Sequence, residues 1–204
     1  MNNQYEKMDH WSLKAQKEGY PARSVYKLKE MDEKFGLLRN VRGGRVLDIG
    51  AAPGSWSLYA LRKMAGAGFL AAVDLSPLSR AFDRGLFEGD NFFFVQGDVY
   101  DASIREALVA RGPYRLVMSD VAPSTTGNRS VDTLRSLALA EEVVNYAELC
   151  LEAGGNLVVK VFQGGDTQEI LKRMRLLFTS ARGFKPETCR PESFETYYLG
   201  IGKR

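Results

Sequence analysis

The chain has 204 residues, of which 45% are hydrophobic and 26% are charged, and its formal net charge at pH 7 is +3. This composition is typical of one soluble globular domain, and the longest apolar runs are too short to span a membrane. One histidine and two cysteines, in no metal-binding spacing, predict the absence of a metal site. The polar N-terminus lacks the apolar core of a signal peptide, which predicts a cytoplasmic protein.

The basic residues are distributed unevenly along the chain. Residues 1–45 hold 10 lysines and arginines against 6 aspartates and glutamates, whereas the remainder holds 18 against 19. Such an excess suggests a surface that faces a polyanion. A solvated helical face would have the same composition, so charge alone does not decide between the two.

The first predicted element is a helix that begins after Ser24. Ser24 is a candidate N-cap, and apolar residues then recur at helical spacing to form one stripe: Val25, Leu28, Met31 and Phe35. Lys27 lies off the centre of this stripe. The helix is therefore predicted to dock on the rest of the domain through its apolar face, with Lys27 at the margin.

Beyond this helix, apolar runs typical of buried strands alternate with helical patterns. The predicted strands are RVLDIG, FLAAVDL, NFFFVQGDV, YRLVMSD and NLVVKVF. The predicted helices are WSLYALRKM, SPLSRAFDRGLF, SIREALVARG and SVDTLRSLALAEEVVNYAELCLEAGG. Continuous apolar strands separated by helices indicate a parallel sheet that is covered on both faces.

The C-terminal part departs from this alternation. A helix is predicted over DTQEILKRMRLLFTSARG, followed by two strand-like pieces, FKPETCRP and ETYYLGIGKR. Their short connection excludes a parallel crossover, so we expect an antiparallel hairpin at the sheet edge. The predicted fold class is α/β, with a doubly wound, mostly parallel, Rossmann-like sheet of seven strands in a single domain.

Glycines and aspartates cluster where the predicted strands end. Gly50 and Gly54 in VLDIGAAPGSW form a turn in which backbone N–H groups can approach a ligand closely. Asp74 follows the second strand, where a carboxylate can bind a ribose diol, and Asp98 follows the third, beside an expected adenine amine. Each aspartate could instead cap the helix that follows it.

A lysine is unexpected in the apolar strand LVVKVF. An unpaired ammonium group in an apolar interior is costly, so Lys160 is expected to have a partner. Asp120 ends the preceding strand in LVMSDVAPS, at the same edge of the sheet. The two side chains are therefore predicted to pair at the ligand-binding edge of the sheet.

Together, the sequences LDIGAAPGSW, VDLSP, GDV, MSDVAPS and LVVKVFQG resemble the FtsJ/RrmJ family of S-adenosylmethionine-dependent RNA ribose 2′-O-methyltransferases. The resemblance runs from about residue 19 to the C-terminus. It implies a Lys-Asp-Lys-Glu catalytic tetrad of Lys27, Asp120, Lys160 and Glu195. It also implies that S-adenosylmethionine, without a metal, is bound by Gly50, Gly54, Trp56, Asp74, Asp98 and Asp120.

The chain differs from the family pattern at three positions. Ser55, Ser124 and Phe194 stand where the family usually has Gly, Asn and a basic residue, respectively. Ser55 is small enough to be tolerated in the glycine turn. The other two positions lie near the expected RNA side, so they affect substrate recognition more than catalysis.

The resemblance implies that Lys160 contacts the ribose 2′-hydroxyl, as a neutral base or as a cation that orients the oxygen. Burial and the charge of Lys27 would favour a neutral Lys160, whereas Asp120 and Glu195 would favour a charged one. The sequence leaves both roles open. A purely structural network of four charges is the alternative, but such networks contribute little to stability.

The resemblance further implies two functional regions within the single domain, an RNA-binding segment (residues 1–44) and an S-adenosylmethionine-binding catalytic core (residues 45–204). Basic side chains of the first region are expected to contact RNA phosphates: Lys14, Lys17, Arg23, Lys29 and Lys34. Tyr20 and Tyr26 are candidates for stacking on bases, and Tyr26 fits a core position equally well.

The predicted function is 2′-O-methylation of a uridine ribose in 23S ribosomal RNA, by a monomer that acts on the large ribosomal subunit. Methylation of a tRNA anticodon-loop ribose is the alternative, because KEGYPARSVYKL also resembles the tRNA-acting branch. A catalytically silent module that binds S-adenosylmethionine and RNA would be expected to have a degraded tetrad. A small-molecule methyltransferase would explain neither Lys27 nor the basic segment.

Overall fold

The computed structural model describes residues 9–164, 167–190 and 193–204. The strands are β1 (Arg45–Ile49), β2 (Phe69–Asp74), β3 (Phe92–Gln96), β4 (Tyr114–Ser119), β5 (Leu151–Phe162), β6 (Phe178–Phe184) and β7 (Glu195–Lys203). The helices are α1 (His10–Lys17), α2 (Val25–Phe35), α3 (Ser55–Met64), α4 (Ala102–Val109), α5 (Arg129–Cys150) and α6 (Thr167–Leu177). A short 3₁₀ helix spans Leu86–Glu88.

The seven strands form one sheet in the order β3-β2-β1-β4-β5-β7-β6. Strands β1 to β5 are parallel to one another. Strand β7 is antiparallel to both β5 and β6. The predicted fold, a mostly parallel α/β sheet with an antiparallel C-terminal pair, is therefore confirmed.

Two apolar layers cover the sheet, one on each face. Helices α1, α2 and α3 contribute to the layer that contains Val46, whereas α4, α5 and α6 contribute to the layer that contains Leu47. Because side chains alternate between the faces of a strand, a strand with two covered faces has a continuous apolar run. None of the helices in the described part of the chain is long and apolar enough to cross a membrane.

The predicted helix in SPLSRAFDRGLF is wrong. Among its residues only the 3₁₀ turn at Leu86 and Phe87 is helical. Arg84 and Gly85 have positive φ angles of 50° and 80°, which interrupt a right-handed helix. This segment instead forms a loop between β2 and β3.

The predicted C-terminal helix is correct only up to Leu177. Its apolar stripe includes the buried Ile170 and Met174, and the buried Phe178, four residues beyond Met174, begins strand β6. The sequence FKPETCRP lies mainly in the connection between β6 and β7, and residues 191–192 are outside the described part. Strand β7 lies inside the sheet, so of the C-terminal pair β6 alone lies at an edge.

Helix α2 begins at Val25 as predicted, but the Ser24 side chain makes no capping hydrogen bond. The backbone of Ser24 is itself helical, with φ −56° and ψ −22°, so its hydroxyl is not oriented as a cap requires. The carbonyl of Ser24 instead accepts a hydrogen bond from the indole N–H of Trp56, at 2.9 Å. This bond joins α2 to α3.

Candidate active site

The carboxyl ends of the parallel strands surround a cleft of about 350 Å³. Four of the predicted ligand-binding residues line this first cleft: Gly50, Asp74, Asp98 and Asp120. Pro123 and Ser124 line it as well. The edge of the sheet at which ligands were expected is therefore open, and it is lined by three carboxylates.

Gly50 lies where the chain leaves β1 and enters the first cleft. Its φ angle is +78°, and a Cβ atom at this position would lie 2.6 Å from Cβ of Val121. Only glycine fits both the left-handed conformation and this close approach. The turn after β1 can therefore pack directly against the chain that leaves β4.

Gly54 and Trp56 do not line the first cleft. A Cβ atom at Gly54 would lie 2.9 Å from the ring of Phe87, so this glycine permits close packing of the turn. The Trp56 side chain is 2% exposed and directs its N–H to the Ser24 carbonyl. Its indole therefore joins two helices instead of facing the cleft.

Asp74 and Asp98 are not helix caps. The two carboxylate oxygens of Asp74 accept the N–H groups of Ala52, at 2.9 Å, and Ser76, at 2.8 Å. Asp98 accepts the N–H of Tyr100 at 3.0 Å, and the N-cap of α4 is a different residue, Asp101. Each carboxylate has further lone pairs with which to accept hydrogen bonds from a ligand.

The predicted tetrad is assembled as two ion pairs. The Lys160 ammonium lies 3.1 Å from Oδ1 of Asp120 and also donates to the Asp120 carbonyl. The Lys27 ammonium lies 2.7 Å from Oε1 of Glu195. All four side chains are between 8% and 15% exposed. Residues from α2, from the end of β4, from β5 and from the start of β7 thus meet in one place.

Tyr197 is a fifth member of this cluster, which the sequence analysis missed. Its hydroxyl donates to Oδ1 of Asp120 at 2.5 Å, and its ring centroid lies 5.8 Å from the Lys27 ammonium. It pairs with Lys160 in the register of β5 and β7. The available signal was the spacing from Glu195, because residues two apart on a strand share a face.

The charges in the cluster determine how two of its members ionise. Burial disfavours the charged form of Lys27, but the carboxylates of Asp120 and Glu195 outweigh it and raise the pKa of Lys27. Burial opposes ionisation of Asp120 too, yet the two lysines and the Tyr197 hydroxyl lower its pKa. At neutral pH, Lys27 is therefore a cation and Asp120 an anion.

A second cleft, of about 450 Å³, lies on the other side of the tetrad. It is lined by Lys27, Glu195, Arg23, Ser24, Arg190 and Phe194. Phe194 packs edge-on against Phe162, with ring centroids 4.6 Å apart, and the Arg129 guanidinium lies 5.3 Å from its centroid. Because Asp120 lines the first cleft and Lys27 the second, the tetrad connects two binding spaces.

Two of the predicted RNA-binding side chains contact the protein itself. The Arg23 guanidinium pairs with Asp9 and donates to the Thr188 carbonyl at 2.7 Å. The Lys34 ammonium lies 4.5 Å from the ring centroid of Phe184. Of the five predicted residues, only Arg23 lines the second cleft.

The surface around Lys14 and Lys29 is less basic than the composition suggested. Lys29 pairs with Glu18, and Lys14 lies 4.0 Å from the same carboxylate. Lys17 is exposed at the end of α1. The cleft that contains Lys14 and Lys29 is also lined by four glutamates: Glu18, Glu30, Glu33 and Glu187.

Tyr20 and Tyr26 are not available to stack on bases. They are only 5% and 6% exposed, and both belong to the apolar layer beneath α1 and α2. The Lys29 ammonium lies 4.7 Å from the Tyr20 centroid and 5.1 Å from that of Tyr26. Core packing is therefore the correct interpretation of Tyr26, and the stacking hypothesis is wrong for both residues.

Ser55, one of the departures from the family pattern, makes contacts that glycine could not. Its hydroxyl accepts the Ala22 N–H at 2.9 Å and donates to the Ala22 carbonyl at 3.1 Å. Ser55 is 1% exposed at the start of α3. The hydroxyl therefore joins the segment before α2 to the glycine turn. Ser124, a second departure, lines the first cleft.

Asp48, which the sequence analysis did not single out, is a fully buried acid on β1 behind the ligand turn. The Ser57 hydroxyl donates to Oδ2 at 2.6 Å, and Oδ1 has no hydrogen-bond partner within the described residues. Burial raises the pKa of Asp48 to about 7, with contributions from the charges of Asp120 and Asp74. The folded protein therefore binds this proton more tightly than the unfolded chain does.

The Asp48→Asn substitution is expected to make stability less dependent on pH. In the wild type, the stabilisation from a neutral Asp48 is lost as the pH rises towards the folded pKa of about 7. The free energy of unfolding of the variant, relative to the wild type, should therefore increase by roughly 2 kcal/mol between about pH 5 and pH 8. Urea unfolding at both pH values measures this difference.

Exposed Asp90 provides the matched control for that experiment. The Asp90→Asn variant should follow the wild type at both pH values. An Asp48→Asn variant whose advantage does not change with pH would show that Asp48 is ionised throughout the range.

Comparisons with known proteins agree with the fold and with the family resemblance. A model of the FtsJ-like methyltransferase family matches residues 20–203. The ribosomal RNA large subunit methyltransferase E of Treponema denticola is 51% identical over 200 residues, which are 98% of this chain and 96% of the relative. Both matches extend over nearly the whole chain.

Solved structures share the architecture at lower sequence identity. A protein of Plasmodium falciparum, described as a ribosomal RNA methyltransferase, matches with a TM-score of 0.74 at 23% identity, covering 90% of this chain and 98% of that one. Human methyltransferase-like protein 13, in complex with SAH, has a TM-score of 0.55 at 16% identity, covering 81% and 73%. These two likenesses support the fold alone. From the family match and the 51% identical relative, we conclude that the chain belongs to the FtsJ-like methyltransferase family.

Proposed function

We propose that the protein transfers a methyl group from S-adenosylmethionine to a ribose 2′-hydroxyl of 23S ribosomal RNA in the large ribosomal subunit. The main support for this reaction is the position of the tetrad, which connects two clefts at the carboxyl edge of the sheet. A methyl donor in one cleft and an acceptor nucleotide in the other can meet there. Alignment of the two reactants is the main requirement of such a transfer.

The residues of the first cleft fit S-adenosylmethionine. Gly50 lets the backbone approach a ligand closely, and Asp74 and Asp98 can accept hydrogen bonds from ribose hydroxyls and an adenine amine. Asp120, ionised at neutral pH, suits a positively charged sulfonium. When bound, the cofactor supplies the activated methyl group. In these assignments, Gly54 and Trp56 support the structure of the turn after β1.

Each member of the tetrad has a role in this proposal. Lys160 contacts the 2′-hydroxyl, as its base or by orienting its lone pair, and Asp120 fixes the ammonium in place. Lys27 and Glu195 line the second cleft and hold the acceptor nucleotide. Tyr197 stabilises the Asp120 carboxylate by donating its hydroxyl hydrogen.

The name of the 51% identical relative supports ribosomal RNA of the large subunit as the substrate, in preference to tRNA. We propose that the chain acts in the cytoplasm, as a monomer, on a uridine of that RNA. In this scheme Arg23 faces the acceptor because it lines the second cleft, whereas Lys14, Lys17, Lys29 and Lys34 contact phosphates farther from the site.

Incubation with labelled S-adenosylmethionine is expected to place label in 23S ribosomal RNA and not in tRNA. The acceptors are unmethylated large subunits, deproteinised 23S RNA and total tRNA, prepared from cells that lack the enzyme. The position is mapped by alkaline hydrolysis, because a 2′-O-methyl group prevents cleavage at that nucleotide. We expect a single protected uridine.

Two outcomes would contradict this proposal in different ways. Label in tRNA alone would assign the protein to the tRNA-acting branch. Binding of S-adenosylmethionine without transfer to any RNA would make it a silent binding module. The Glu195→Ala variant is a useful control, because any transfer due to the tetrad should decrease when Lys27 loses its partner.

A further inference from the structure

The excess of basic charge in the N-terminal part lies mostly at the opposite end of the sheet from the tetrad. Residues 9–38 hold 6 lysines and arginines against 5 aspartates and glutamates, so they are nearly neutral overall. Arg39, Arg42 and Arg45, which follow them, supply the rest of the excess without an intervening acid. Arg45 is the first residue of β1, at its amino end.

Two further arginines, from another part of the chain, flank the same region. Arg111 lies just before β4, and Arg115 is its second residue. We call this group the arginine face: Arg39, Arg42, Arg45, Arg111 and Arg115. A cleft of about 520 Å³ in this face is lined by three of the arginines together with Asn40 and Asn156. Glu152 is the only carboxylate among the described residues that line it.

Three arginines of the face are fixed by contacts within the protein. The Arg115 guanidinium donates to Glu152 at 2.8 Å and to the Asn40 carbonyl at 2.7 Å. Arg45 donates to the Arg111 carbonyl at 2.6 Å. The Arg111 guanidinium lies 3.5 Å from the ring centroid of Phe93. These contacts neutralise the single carboxylate of the cleft and hold the surface in one arrangement.

The guanidinium groups of Arg39 and Arg42 are exposed, and they make no hydrogen bond or ion pair with any residue that the structure describes. Both line the cleft beside the fixed Arg115. A guanidinium presents a planar fork of donors that matches phosphate, and several of them along one surface suit a polyanion. Among the residues that the structure describes, no exposed large apolar side chain lines the cleft to anchor a protein partner.

The arginine face is too far from the tetrad to contact the acceptor nucleotide itself. Arg115 and Asp120 lie at opposite ends of β4. Five residues of extended strand separate them by about 16 Å. A ligand that contacts both places must therefore extend well beyond one nucleotide.

We propose that the arginine face is a second RNA-binding surface, which binds the phosphate backbone of a folded ribosomal RNA while the target nucleotide lies in the second cleft. The inference rests on the proposed function and specifies its substrate as RNA with extended tertiary structure. Arg39 and Arg42 bind phosphates directly, and Arg115 keeps the surface between them in place.

The test is a double charge reversal, Arg39→Glu with Arg42→Glu, compared with a reversal of equal charge at Lys172 and Arg175. All four residues are exposed, and the control pair lies on α6. Binding to deproteinised 23S RNA is measured by filter retention over a range of salt concentrations. We expect the Kd of the arginine variant to rise about tenfold, and the slope of log K against log salt to decrease by about 2.

Methyl transfer to a short RNA hairpin that contains the target uridine should be the same for the arginine variant and the wild type. Melting temperature and the Kd for S-adenosylmethionine confirm that the variant is folded. A Kd for 23S RNA equal to that of the α6 control would overturn the proposal. So would weaker binding to the intact subunit with unchanged binding to deproteinised RNA, because a ribosomal protein would then be the partner.

The binding measurements are independent of turnover, so they separate this inference from the proposed function. If the wild type methylates no RNA, the proposed function fails, and the comparison of Kd values still decides whether the arginine face binds RNA. If the wild type methylates 23S RNA and both variants bind equally, only the second surface is excluded.

Discussion

The Lys160→Ala variant is expected to transfer methyl groups about 10³-fold more slowly than the wild type, while its Kd for S-adenosylmethionine changes by no more than about threefold. The ammonium of Lys160 lies beside Asp120, where the two clefts meet, but it does not line the first cleft. Its removal should therefore affect the chemical step more than cofactor binding. Single-turnover transfer and calorimetric titration measure the two quantities separately.

The control for this experiment is Lys172→Ala, which removes an exposed lysine from α6 and should leave the rate unchanged. Because Asp120 keeps its hydrogen bond from Tyr197, the variant should remain folded, and Lys160→Met provides a second variant that better fills the space. Transfer at a nearly normal rate would contradict the assigned role. The four charges would then be a structural connection among α2, β5 and β7.

The Asp74→Ala variant is expected to bind S-adenosylmethionine about 100-fold more weakly, a loss of about 3 kcal/mol, because hydrogen bonds to a charged acceptor are among the stronger ones. The carboxylate faces the first cleft and also holds the N–H groups of Ala52 and Ser76. Both effects should appear in the Kd, whereas the rate at saturating cofactor should change much less. Titration of the free enzyme with cofactor measures the affinity.

Asp90→Ala removes an exposed carboxylate shortly before β3 and is the matched control. Its Kd should equal that of the wild type. If Asp74→Ala bound the cofactor normally, the carboxylate would serve only to shape the turn after β1, and the proposed ribose contact would be wrong.

The parallel strands could be predicted from sequence because both of their faces are buried. Val46 and Leu47, adjacent on β1, enter opposite apolar layers, so the whole strand is apolar. This local signal also located the strand ends, and with them Asp74 and Asp120. The resemblance then contributed Lys27 and Glu195, which no local pattern would have connected to the other two.

The spacing of Tyr197 from Glu195 places both on the same face of β7, but the contact of Tyr197 with Asp120 could not be predicted from local sequence because it depends on strand pairing. It reaches Asp120 because β7 enters the sheet beside β5, which places Tyr197 opposite Lys160. Strand β6 was not predicted, for a different reason. The helical pattern before Leu177 continues into residues that also suit an edge strand, and only the pairing with β7 decides between the two structures.

The distribution of charge was predicted correctly along the sequence but not in space. The count of basic residues in residues 1–45 includes Arg39, Arg42 and Arg45 together with Lys27, because all four precede β1 or begin it. Helix α2 runs from the tetrad, where Lys27 lies in its first turn, to the arginine cleft, which its C-cap Gly36 lines, so residues close in sequence lie on different surfaces. A count of charges along the sequence does not show on which surface each charged residue lies.

The position of β7 has a consequence for the order in which the protein can become active during its synthesis. Glu195 and Tyr197 belong to β7, which follows the other six strands in chain order, yet this strand fills an interior place between β5 and β6. A nascent chain that ends before β7 leaves the edge of β5 unpaired and lacks both side chains. In the proposed function, the growing polypeptide therefore cannot act on RNA until this strand has left the translating ribosome, so its synthesis and its first turnover are separated in time.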